Sequence, residues 1–139
     1  MNPIESARTQ IDAVDGLAEV FGAAWDAFEV IRLVANTYAD QVTDQYTMWM
    51  YVIPPACDGR DALGFAPSTP GGSVPAARLG DLDGLTEDQT ADALAGLADV
   101  VAAKLGVLDG RASTPRDALA CTRAIGAARQ IRKLLAENG

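Results

Sequence analysis

Two cysteines, nineteen carboxylates and no histidine set the chemistry this chain can attempt. Without histidine there is no imidazole base, no His-dependent triad and no ordinary catalytic zinc site. Cys57 has no imidazole to generate its thiolate, and a neighbouring Arg60 is weak activation. Cys57 and Cys121 alone cannot form a structural zinc site. Their spacing leaves open whether they are joined or free. Di-iron bundles need Glu-x-x-His pairs on facing helices, and the chain has none. Its helically spaced carboxylates (Asp12, Asp15, Glu19 and Asp26, then Asp88, Asp92 and Asp99) fall largely off the apolar stripe and read as a solvated face. Asp81-Leu82-Asp83-Gly84 starts like a calcium loop, but its glycine comes two places early and position five is Leu85. Gly71-Gly72-Ser73 lacks the lysine and the helix of a phosphate loop. These residues name no reaction. The expectation leans to a non-enzymatic chain with no metal and no cofactor, with an enzyme working through Asp, Tyr or Arg alone left open.

What remains is surface chemistry. The run Tyr46-Thr47-Met48-Trp49-Met50-Tyr51-Val52-Ile53 is aromatic and Met-rich around the helix circumference. Such a segment is buried on all sides or meets a partner. With Trp25 and Phe28, its residues Tyr46, Met48, Trp49, Met50 and Tyr51 are the candidate binding residues, as a dimer interface or a pocket lining. The second surface signal is charge. The net charge is −8, yet the balance is −12 over residues 1–110 and +4 over residues 111–139. An acidic body makes nucleic acid an unlikely partner. A basic last helix docked on that body accounts for the asymmetry, and Arg116 and Arg123 share a face seven residues apart. Gly110–Ser113 is a turn of the length a helix-turn-helix uses, but the preceding helix is too long for that motif and acidic.

The elements that position these residues are helical. Read in sevens from Val14, one row is Val14, Phe21, Phe28, Ala35, Val42 and Trp49. The companion row, three residues on, is Leu17, Ala24, Ile31, Tyr38, Gln45 and Val52. Eleven of the twelve positions are apolar or aromatic, which predicts a helical stripe over residues 3–52. Asn2 caps it, Pro3 takes the first position and Glu5 completes a capping box. As one rod it would be about 75 Å long. The spacing therefore predicts either a break near residues 36–43 or a helix that projects and pairs with a second copy.

Pro54-Pro55 reads as a firm stop. Residues 54–84 read as a Pro/Gly-rich crossover loop, with a short turn at Asp61–Leu63 and Phe65 as an anchor into the core. Helices follow at 86–109, opened by a Thr86/Gln89 capping box and closed by a left-handed Gly110, and at 115–137, capped by Thr114. Gly16 and Gly96 lie in similar stretches and read as sites of close helix approach. The whole is an all-α helical bundle in a single domain, 1–139, with a long aromatic first helix and a C-terminal helical hairpin.

No stretch suggests a signal peptide or a membrane span, so a cytoplasmic setting is expected. The leading functional expectation is a homodimeric interaction or assembly protein. The second is a hydrophobic-ligand binder in which Trp25, Phe28, Tyr46 and Trp49 line a pocket under a 54–84 lid. The third is a DNA-associated regulator that uses the last helix.

Overall fold

The computed structural model describes residues 2–66, 82, 84–111 and 114–137. Among these it contains five α-helices and no strand, packed as a bundle. They are α1 (Pro3–Asp12), α2 (Leu17–Gln41), α3 (Tyr46–Gly64), α4 (Glu87–Leu108) and α5 (Pro115–Glu137), with a 3₁₀ turn at Asp109–Arg111 after α4. Buried residues from all five helices share one core. No helix of the described residues is long and apolar enough to cross a membrane.

Three helix starts follow from local chemistry. The Asn2 side chain accepts from the Glu5 amide at 2.8 Å. Thr86 and Gln89 exchange both bonds of a capping box, at 2.9 and 3.0 Å. Thr114 Oγ1 accepts from the Asp117 amide at 3.0 Å. Each satisfies amide donors that the first turn leaves unpaired.

The stretch 3–52 is three helices rather than one, and the aromatic stripe lies on the second and third of them. The first break falls at Gly16, the extended N-cap residue of α2. The second falls at Val42, which adopts the left-handed conformation with φ 49° and ψ 57°. A β-branched residue pays for that geometry, at a cost of about 1–2 kcal/mol. Asn36 and Thr37, both mild breakers, do not interrupt α2, and the Thr37 hydroxyl bonds back to the Leu33 carbonyl at 2.8 Å. Two glycine expectations fail. Gly16 is a cap rather than a packing site, and Gly110 lies in the 3₁₀ turn without a positive φ.

Pro54-Pro55 does not stop the helix. Both prolines lie inside α3, which runs ten residues past Pro54 to Gly64. Neither proline has an N–H to give the carbonyls of Met50 and Tyr51. Those two residues stand on the exposed side of the helix, where solvent rather than core surrounds the freed carbonyls. Past the prolines, α3 buries Ala56, Gly59 and Leu63. That tertiary gain offsets the local cost. The crossover therefore begins after α3, and its central part lies outside the described residues.

The residual cost is measurable. Pro54 is exposed. Pro54→Ala restores an N–H to the Met50 carbonyl and loses only the stiffening of the unfolded chain. The expected net gain is about 1–2 kcal/mol, seen as a melting temperature several degrees higher by circular dichroism. An unchanged or lower melting temperature would show that the proline bend itself is needed for packing.

α2 and α3 form an antiparallel hairpin joined by residues 42–45. Tyr38 stacks on Trp49, with ring centroids 4.8 Å apart and planes at 15°. Farther along, Phe28 faces Gly59 and Trp25 faces Gly64. The first turn of α4 clamps the connection: Glu87 accepts from Thr43 Oγ1 at 2.5 Å and from Trp49 Nε1 at 2.6 Å, and Asp88 accepts from Gln45 Nε2 at 2.7 Å. α4 and α5 form the second hairpin. Cys121 Sγ donates to the Leu105 carbonyl at 3.1 Å, and Arg132 pairs with Asp99 at 2.7 Å. α1 lies against α2 and α4. Lys104 donates to the carbonyls of Asp12, the last residue of α1, and of Val14 just beyond it, at 3.2 and 2.9 Å.

Candidate interaction surface

The seven candidate residues do not form one patch. α3 turns Met48 and Trp49 inward, and α2 buries Phe28. Trp49 and Phe28 are fully buried, and the Trp49 indole N–H is spent on Glu87. Trp25 is half-buried against the core. Tyr46, Met50 and Tyr51 point outward, with 38%, 43% and 62% of their surface exposed. The run is therefore two surfaces on one helix, a core side and a solvent side. Trp25, Phe28, Tyr46 and Trp49 line none of the grooves described below.

The solvent side of α3 continues past the prolines. Tyr51, Pro54, Asp58, Asp61 and Phe65 follow one another at intervals of three and four residues, and all are exposed. Phe65 is 77% exposed and not a core anchor. Beside this row lies α5, antiparallel to α3. Arg116 Nη2 donates to the Phe65 carbonyl at 3.3 Å, at one end of the pair. An open groove of about 500 Å³ between them is lined by Asp58, Asp61, Phe65, Arg123 and Gln130. A smaller one, of about 260 Å³, shares Ala62, Phe65 and Arg123 and adds Arg116 and Leu119. Leu119 is 50% exposed. Acidic α3 and basic α5 thus flank a strip floored by apolar side chains. A third groove, of about 550 Å³, lies between the α1–α2 junction and α4, with Asp12, Asp15, Val100, Lys104 and Val107 on its walls.

Behind α3, on the α2 side, lies a charge cluster that sequence reading missed. Glu29 is almost wholly buried. It accepts from Arg32 at 2.6 and 3.1 Å and from Arg60 at 2.9 Å. The Arg32 hydrogen bond, with Arg60 adding to it, holds the Glu29 carboxyl below its ordinary range against the opposing effect of burial. The same bonds raise both guanidinium groups. Asp26, one turn earlier, is pushed the other way by burial, which outweighs its hydrogen bond from Gln10. The three-residue spacing of Glu29 and Arg32 was the local signal available. Arg60 needed the α2–α3 register.

This cluster is a satisfied structural pair set: every strong charge in it already has a partner. Cys57 is half-buried, and Cys121 is buried and held on the Leu105 carbonyl. Among the described residues, no three His, Cys, Asp or Glu side chains gather to hold a metal ion. The chain matches no protein-family model, no curated protein and no solved structure.

Proposed function

We propose that this chain is a non-enzymatic helical interaction and assembly protein that works as a homodimer. One observation carries the reading: the outer side of α3 keeps Tyr46, Met50, Tyr51 and Phe65 in water while the same helix buries Trp49, Val52 and Leu63. A fold able to bury those residues has not used these. Solvent-facing aromatic and Met side chains rimmed by charge mark a contact surface. The helix is packed on two sides by α2 and α5, so its backbone is already ordered before contact.

Native mass spectrometry and sedimentation velocity over a concentration series test it. The expected result is a species of twice the chain mass that dissociates on dilution, with Tyr51→Ala and Phe65→Ala shifting it toward monomer while the helical circular dichroism stays the same. A chain that remains monomeric at every concentration would overturn the homodimer. Retained extra mass on that monomer would transfer the reading to a bound small molecule.

A further inference from the structure

Resting on the homodimer reading, we infer that a second copy of this chain seats on the α3–α5 face with its two-fold axis parallel to these helices, so that α3 of each copy crosses the gap to α5 of the other. The inference comes from where the charges stand. α3 and α5 run antiparallel, and the groove lining fixes their relative height. Asp58 and Asp61 share one groove with Arg123 and Gln130, and Phe65, common to both grooves, shares the other with Leu119 and Arg116, whose guanidinium reaches its carbonyl.

A symmetric face-to-face pair can place its axis in the interface in two limiting ways. With the axis across the helices, each α3 meets its own copy running the other way. Where the axis passes at the height of Asp58, Asp61 and Arg123, the acids then face the same acids of the second copy, and Arg123 faces Arg123. Like charges directly opposed are repulsive. With the axis along the helices, left and right exchange but height does not. Asp58 and Asp61 then face Arg123, and Phe65 meets Leu119. Asp58, Asp61 and Arg123 are then opposed by unlike charge, and the exposed apolar side chains cover one another.

Two further observations fit this arrangement. Asp58 and Arg123 line the same groove, yet neither forms an ion pair among the described residues. Both charges are available across the gap. Gly126 sits exposed on the outer side of α5, and a methyl group there would meet nothing within 4 Å. Within one chain this glycine packs against nothing and weakens its helix. Opposite a second helix, its bare backbone permits close approach.

The test is a charge swap read by sedimentation velocity at fixed salt. Arg123→Glu and Asp58→Arg, each alone, place like charges at both symmetric contacts and should weaken the dimer at least about tenfold. An equimolar mixture of the two variants regains opposite charges at both contacts, as does the double variant, and both should dimerise like the parent chain. Asp58→Asn and Arg123→Gln, which only neutralise, should give smaller losses and cover the case of a reversal that fails to fold. A parent dimer untouched by either reversal would overturn this arrangement and leave the homodimer standing. A monomeric parent chain would overturn the homodimer itself.

Discussion

Gly59→Ala should lower the stability of the fold by about 2 kcal/mol, although alanine is the better helix former. The reason is Phe28. An ideal Cβ at position 59 would lie 2.5 Å from two carbons of the Phe28 ring and 2.8 Å from a third. Real Cβ atoms essentially never come so close. The ring is fully buried, so it cannot swing aside into solvent. Overpacking of this kind costs about 1–3 kcal/mol, and the helix-propensity gain of about 1 kcal/mol offsets only part of the upper range. Urea midpoints read the loss directly. Phe28→Leu supplies the control. That change alone creates a void and is destabilising, but adding Gly59→Ala to it fills space that the ring has left. The double variant should therefore be no less stable than Phe28→Leu alone, a favourable coupling of about 2 kcal/mol. If Gly59→Ala is equally costly in both backgrounds, the contact with Phe28 is not its cause.

The same residue shows where sequence reading reached its limit. Helix starts were legible, since caps at Asn2, Thr86 and Thr114 depend on atoms three residues away. The heptad stripe was legible too: Phe21, Phe28, Ile31, Ala35, Trp49 and Val52 are all buried. The all-α class and the C-terminal hairpin followed from these. The stretch after Pro54 was not legible. Two prolines and a glycine within six residues argue locally for a loop, and Pro54, Pro55 and Gly59 instead lie in a helix whose packing against α2 and α5 outweighs that preference. Gly59 is there to admit a ring 31 residues earlier, a fact that exists only once α2 and α3 are in register. The surface was half legible. The run 46–53 stood out by composition, but composition does not say which side of a helix the core takes. Phe65 looked like an anchor because it is a lone phenylalanine in a polar stretch, and its neighbour Leu63 holds the inward position instead. The basic row on α5 was visible as Arg116 and Arg123 spaced by seven. Its acidic counterpart on α3 was hidden, because Asp58 and Asp61 were assigned to a loop with no face.

Glu29 is the other position where a small change should have a large effect, and its sign depends on pH. Glu29→Gln keeps the shape of the side chain but turns an amide toward two guanidinium groups that are only 23% exposed. Charged hydrogen bonds contribute about 1.5–3 kcal/mol each, and breaking a buried pair strands the partner. With two arginines reaching partly into water, the expected loss near neutral pH is about 2–3 kcal/mol. The carboxyl is held below its ordinary value of 4.5 by Arg32 and Arg60. Folding therefore favours its charged form. The stabilisation it supplies is complete above about pH 4.5 and is lost as the pH falls through the lowered value. Asp26 works in the opposite sense. Its carboxyl is raised from 3.8 by burial, so folding favours its protonated form, and its contribution declines as the pH rises from about 4. Asp26→Asn should accordingly stabilise the chain at neutral pH. Urea denaturation from pH 7 to pH 3 separates the two groups. The gap between the parent chain and Glu29→Gln should close as acid is added, while the advantage of Asp26→Asn over the parent chain should shrink over the same interval. A Glu29→Gln deficit that stays constant across the range would mean the glutamate acts through shape and packing, and that its charge adds nothing to the hold of α2 on α3.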